Sequence, residues 1–180
     1  MKKKICVIFT DGVEEIELVV PVDICRRCGI AVALVSAGAS THISGAHGIR
    51  LEADTTISAM GSDEFDALFL PGGPGSFALK DDAAVLAIVR GFHAAGKLIC
   101  ALCAAPLILS NAGILGGRKF CSHPCTHAEL PGVDAAENVV VDGNLITGKG
   151  PGAAAQFAFA IVERLLGRSA ADAIKRDLFF

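Results

Sequence analysis

The chain alternates between short continuous apolar runs and longer stretches with apolar residues at helical spacing. Lys4 to Phe9, Ile30 to Val35, Asp66 to Leu70 and Lys97 to Leu102 are apolar without strict alternation. That is the pattern of strands buried on both faces of a parallel sheet. Between them, Glu14 to Cys28 places Ile16, Val19, Val20 and Ile24 on a helical repeat, with Gly29 as its stop. Asp82 to Ala95, Ala104 to Ser110, Ala153 to Leu166 and Ala170 to Arg176 read as further helices. His42 to Ser44 and Ile49 to Leu51 predict a small hairpin beside the sheet, and Lys119 to Ser122 a short strand. Val139 to Val141 and Leu145 to Thr147, joined by Asp142-Gly143-Asn144, predict a second hairpin. Alternating β and α elements imply an α/β fold, a mostly parallel sheet with helices on both faces and an accessory hairpin. No linker, repeat or low-complexity segment divides residues 1–180, so one domain is expected.

Composition narrows the function classes. With 52% hydrophobic and 19% charged residues, the chain is globular. A formal charge of −3, with no basic block beyond Lys2-Lys3-Lys4, gives no footprint for nucleic acid or a membrane surface. No uninterrupted apolar stretch approaches the ~18 residues of a membrane span. The N-terminal apolar run stops at Asp11 without a small-residue cleavage site, and reads as a strand rather than a signal peptide. Seven cysteines, scattered through predicted strands and helices, suit a reduced, cytoplasmic protein.

In such sheets ligands bind beyond the carboxyl ends of the strands. Three loops converge there: the turn leading into Glu14-Glu15-Ile16-Glu17, the Pro71-Gly72-Gly73-Pro74-Gly75 turn, and the strand-to-helix corner at Cys103. A free thiol is only about 3% ionised at pH 7, and a helix start lowers its pKa. Cys103 is thus the candidate nucleophile, against the simpler reading of a packed core cysteine. A carboxyl beside it, as Glu17 would be, is kept protonated by burial and like charge, and can shuttle a proton. At least one of Glu14 and Glu15 is expected to be a solvated residue of the helix start. The glycine turn lacks the Lys-Ser/Thr of a phosphate loop and the spacing of a dinucleotide fingerprint, which excludes nucleotide binding. Cys25-Arg26-Arg27-Cys28 has redox-pair spacing but falls at a helix end. Cys121, His123, Cys125 and His127 alternate like zinc ligands, but Pro124 breaks the geometry, and no metal is expected.

These motifs, in order, are Asp11-Gly12-Val13-Glu14-Glu15-Ile16-Glu17 with Pro21-Val22-Asp23, Leu70-Pro71-Gly72-Gly73, Ile99 to Pro106 around Cys103, Ser122-His123-Pro124, and Gly150-Pro151-Gly152. Together they resemble the ThiJ/PfpI superfamily, in its branch of the parkinsonism-associated protein deglycase, over nearly the whole chain. The resemblance implies a flavodoxin-like sandwich, a homodimer and no cofactor. It further implies Cys103 as nucleophile, Glu17 as acid/base, His123 as a nearby imidazole, and the N–H groups of Gly73 and Ala104 as an oxyanion-binding pair. His47 and Lys149 stand where relatives carry Arg. The activity it implies is glutathione-independent conversion of small 2-oxoaldehydes such as methylglyoxal, or removal of their early adducts. An oxidation sensor or redox-regulated chaperone is the alternative. A peptidase ranks below both, because the residue after the nucleophile is Ala104 rather than His.

Overall fold

The computed structural model describes residues 2–60 and 65–180. Its main sheet starts with β1 (Lys4–Phe9) and β2 (Ala31–Ser36), joined by helix α1 (Glu15–Arg27). The small hairpin β3 (His42–Ser44) and β4 (Arg50–Glu52) comes next as a separate antiparallel pair, and β5 (Thr55–Thr56) returns to the edge of the main sheet. Then come β6 (Ala67–Leu70), α2 (Gly75–Leu79), α3 (Ala83–Ala94), β7 (Leu98–Leu102) and α4 (Pro106–Asn111). The hairpin β8 (Val139–Asp142) and β9 (Leu145–Gly148), then α5 (Ala154–Leu166) and α6 (Arg168–Asp177), complete the chain. The seven strands run in the order β5-β2-β1-β6-β7-β9-β8, all parallel except β8 against β9.

The sheet divides the core in two. Ile5, Val7, Phe9, Phe69 and Leu102 face α1 and α5, where Leu18, Ile24, Phe157 and Ile161 meet them. Cys6, Ile8, Leu68, Leu70 and Ile99 face the other way, toward Val85, Val89, Leu107 and Ile108 of α3 and α4. Both faces of each central strand are therefore covered, which is why those strands are continuously apolar in sequence.

One expectation fails here. Lys119 to Ser122 forms no strand, because the Cys121 N–H is taken by the Thr147 hydroxyl at 2.9 Å rather than by a neighbouring backbone. Of the apolar positions on α1, Ile16 and Val19 are 50% and 49% exposed, while Leu18, Val22 and Ile24 carry the packing. The helix also holds Pro21 in its interior, which removes the backbone bond that would reach the Glu17 carbonyl.

Candidate active site

The carboxyl ends of β1, β6 and β7 lie side by side, and the segments leaving these three strands form the site. After β7 the chain turns through Cys103 with φ at +62°, a left-handed conformation that costs a non-glycine residue about 1–3 kcal/mol. It is held from both sides: Cys103 N–H donates to Gly148 at 2.8 Å, and its carbonyl accepts from His123 N–H at 2.9 Å. The helix expected from Ala104 begins at Pro106 and is short, so its dipole contributes less than individual N–H groups nearby.

Beneath the thiol runs the glycine turn after β6. Gly72 passes between two side chains, and a methyl group on it would overlap both Glu17 Oε2 and Cys103 Cβ. Gly73 has φ at +97° and lies against the backbone of Gly12 to Glu14. Only glycine fits both demands at that position. The N–H groups of Gly73 and Ala104 are directed at the Cys103 sulfur.

The start of α1 brings in the carboxylates. Glu14 is the N-cap, its Oε2 accepting from Glu17 N–H at 2.8 Å, and its own N–H donates to Gly72 at 3.0 Å. Glu17 is fully buried; its Oε2 accepts from Gly72 N–H at 2.9 Å, and Oε1 has no hydrogen-bond partner among the described residues. Burial pushes Glu17 up to about 7, and the Glu14 charge adds to this against opposing contacts from the Cys103 thiol and the Gly72 N–H. Burial likewise pushes the Cys103 thiol up, and an ionised Glu17 would push it further, while the Gly73 and Ala104 N–H groups pull it down. The simple expectation of a thiol lowered by a helix start is thus corrected: the donors are present, but the charge on Glu17 competes with them.

The reading of a solvated Glu14 or Glu15 also fails, since both are buried. Glu15 turns to the hairpin side. Its Oε1 accepts from the N–H groups of His47 at 2.8 Å and Ile49 at 3.3 Å, and its Oε2 lies 2.9 Å from His47 Nδ1. Burial opposes ionisation, but these partners outweigh it and hold Glu15 at about 2. His47 is raised in turn by Glu15.

His123 meets the site through its backbone. Its ring Nδ1 accepts from Cys125 N–H at 3.2 Å, so a neutral ring carries its proton on Nε2. The ring borders a cleft of about 370 Å³ with Pro124, Asn138, Lys149 and Gly150 to Ala153. Lys149 reaches away to the Ala135 carbonyl at 2.6 Å.

The alternating Cys/His run does not converge. Cys121 Sγ donates to the Thr147 carbonyl, His123 Nδ1 is occupied as above, and His127 Nε2 lies 3.2 Å from the Ser122 carbonyl. Among the described residues, Glu14, Glu15 and His47 bring potential metal-ligand atoms within 4.8 Å of one another, but the Glu15–His47 hydrogen bond already links two of them. Sequence patterning alone does not single out the Glu14 cap. An acidic residue three positions before Glu17, at the start of an apolar-periodic run, is the signal that could find it.

A mostly parallel α/β sheet with a thiol in a left-handed corner, set against a buried carboxyl, defines the class of protein. The profile of the DJ-1/PfpI family matches residues 3–164, and the chain belongs to that family. It is similar to Protein dj-1beta of Drosophila melanogaster, 35% identical over 183 residues covering 99% of this chain and 97% of the relative. The crystal structure of that protein superposes with a TM-score of 0.93, at 33% identity, over 99% of this chain and 98% of the other. A second relative is glutathione-independent glyoxalase DJR-1.2 of Caenorhabditis elegans, 32% identical and covering 98% and 96%. A third is deglycase PH1704 of Pyrococcus horikoshii, 33% identical over 153 residues and covering 82% and 90%.

Proposed function

We propose that the protein is a cysteine-dependent glyoxalase or deglycase that needs no cofactor and acts on 2-oxoaldehydes such as methylglyoxal or their early adducts. The observation that carries this reading is the fully buried Glu17 carboxyl, held up to about 7 beside a thiol that receives two backbone N–H groups. The pocket accommodates one negative charge. The reactive form carries the charge on Cys103, where the Gly73 and Ala104 N–H groups meet the sulfur, and the proton on Glu17, whose carboxyl is held up to about 7. Glu17 Oε1, otherwise unpartnered, is the atom that carries that proton.

The Cys103 thiolate attacks the aldehyde carbon, and the new alkoxide takes over the Gly73 and Ala104 N–H groups that rested on the sulfur. Glu17 protonates the oxygen, then carries the proton of the former aldehyde carbon to the neighbouring one through an enediol, while the hydroxyl proton passes to the neighbouring oxygen and leaves a 2-hydroxy thioester. Water hydrolyses the resulting thioester to a 2-hydroxy acid and returns the thiol. His123, whose backbone N–H holds the Cys103 carbonyl, is the nearby imidazole of this reading. Names borne by relatives, a glyoxalase and a deglycase, agree with this chemistry. Lactate formation from methylglyoxal without added thiol, in wild type and Cys103→Ser, tests it. Activity that survives the substitution would sink it.

The same reading includes a homodimer. Ile16 and Val19 project from one face of α1, and exposed Ile49 lies beside them through its N–H bond to Glu15. Such a patch is best covered by a symmetric copy of itself. Light scattering at micromolar concentration should give twice the mass of the chain, and Val19→Asp should return it to that of one chain. A wild-type mass of one chain contradicts this part of the reading.

A further inference from the structure

We propose that Cys125 is a resolving thiol: after a hydroperoxide oxidises Cys103 to a sulfenic acid, Cys125 condenses with it to close a Cys103–Cys125 disulfide. The proposal rests on the reading of Cys103 as the reactive thiol. Among the seven cysteines, Cys125 is the exposed one. It sits on the short 3₁₀ turn Pro124–Thr126, which continues directly from His123, and His123 N–H is bonded to the Cys103 carbonyl. Two residues of extended chain span at most about 7 Å, so the turn cannot carry Cys125 far from the corner. Partial burial and the charge of Glu17 both act on the Cys125 thiol, which puts it within electrostatic range of the same pocket.

The other thiols are poor rivals. Cys100 is buried within β7, and Cys121 is buried with its sulfur bonded to the Thr147 carbonyl. Cys6 and Cys25 are core residues, and Cys28 caps the far end of α1.

A disulfide needs its Cα atoms about 4.4–6.8 Å apart, so the turn has to swing toward the corner. Its two ends are anchored: His123 by Cys103, and Thr126 by hydrogen bonds from its hydroxyl to Ser122 Oγ at 2.9 Å and the His123 carbonyl at 2.8 Å. Pro124 and Cys125 between them are exposed, so the swing opens no core.

The chemistry balances with a hydroperoxide as oxidant. The Cys103 sulfur attacks the peroxide, the O–O bond breaks, and the products are Cys103 sulfenic acid and an alcohol, or water from hydrogen peroxide. The Cys125 sulfur then attacks Cys103, the S–S bond forms, the S–O bond breaks, and hydroxide leaves as water with the proton released by Cys125. A dithiol reductant restores both thiols. Closure keeps the sulfur from a second peroxide, which would carry it to the sulfinic acid.

The test treats the purified protein with a severalfold excess of hydrogen peroxide, blocks free thiols with iodoacetamide, and maps peptides without reduction, for wild type and Cys125→Ser. In wild type the expected product is a linked pair of peptides carrying Cys103 and Cys125, lighter by two hydrogens. Methylglyoxal turnover should be lost on oxidation and fully recovered with dithiothreitol. In Cys125→Ser the basal turnover should persist, Cys103 should reach the sulfinic acid, and dithiothreitol should recover nothing. Wild-type Cys103 as sulfinate with Cys125 alkylated overturns the resolving role and leaves the reactive-thiol reading intact. A disulfide from Cys103 to any other cysteine overturns the resolving role in the same way. Cys103 recovered unoxidised and alkylated overturns both.

Discussion

Glu15 and Glu17 stand two residues apart in the first turn of α1, both buried, yet one is held at about 2 and the other at about 7. Glu15 faces the hairpin, where two backbone N–H groups and the His47 ring meet its oxygens. Glu17 faces the corner, where one N–H meets one oxygen and the other partner is a thiol. Burial is common to both. What differs is the number of donors, so the same helix turn builds a fixed anion on one side and a proton reservoir on the other.

Glu17→Gln should give the largest effect. The amide keeps a donor for the sulfur but has no transferable proton, so methylglyoxal turnover should fall at least ~100-fold. Iodoacetamide should still label Cys103. Turnover near wild type would end the acid/base assignment. The same variant has a stability signature. A carboxyl whose pKa rises on folding, from 4.5 to about 7, binds more protons folded than unfolded across that interval, so wild-type stability falls as pH rises through it. The variant lacks this loss and should gain about 3 kcal/mol on wild type between those limits, read from denaturant midpoints.

Two glycines sharpen the contrast further. A methyl at Gly72 would overlap Glu17, Cys103 and the Leu102 carbonyl, whereas the nearest atoms that one at Gly45 would meet all belong to Glu15. Each Gly→Ala change should destabilise by about 1–3 kcal/mol through overpacking. Only Gly72→Ala should also lower turnover steeply, because it displaces both reacting groups. Equal losses of turnover in the two variants would mean that the hairpin side also serves the chemistry.

The smallest effect should come from His47→Ala, and its sign is opposite on the acid side. Glu15, lowered on folding, contributes stability above its ordinary 4.5 and loses it as pH falls toward about 2. His47, raised on folding, contributes fully below its ordinary 6.5 and loses this as pH rises through its raised value. The pair is therefore strongest between 4.5 and 6.5, and the deficit of His47→Ala should be greatest there. A deficit that does not vary with pH would show that the ring acts by packing alone.

The parts of the fold legible in sequence were those whose neighbours impose a strong pattern. The runs at Lys4 to Phe9 and Lys97 to Leu102 read as parallel strands because both faces are covered. β5 is two threonines long and α2 begins inside the glycine turn, so neither leaves a periodic trace. Lys119 to Ser122 has strand composition, but a side-chain hydroxyl claims its backbone, and composition does not record that. At the site, Cys103 and the glycine turn announced themselves by strand ends and local chain geometry. Glu17 could be singled out from its neighbours only through chemistry and resemblance. The burial of Glu15 depends on His47, thirty-two residues away, and no spacing rule reaches that far. Helical periodicity also has no means of separating Ile16 and Val19, on a bare face, from Leu18 and Val22 beneath them.

Pro21 has a consequence for motion. With no N–H to offer the Glu17 carbonyl, it interrupts the hydrogen-bond ladder between the first turn of α1 and the rest of the helix. The turn bearing Glu14, Glu15 and Glu17 is fastened instead to the glycine turn and the hairpin, through Glu14 N–H to Gly72, Gly72 N–H to Glu17, and His47 N–H to Glu15. In amide hydrogen exchange this turn should open and close with those loops, as one cooperative unit, and not with the C-terminal half of its own helix. The proton reservoir thus belongs mechanically to the loops, and a perturbation of the hairpin can reach the thiol without unwinding α1.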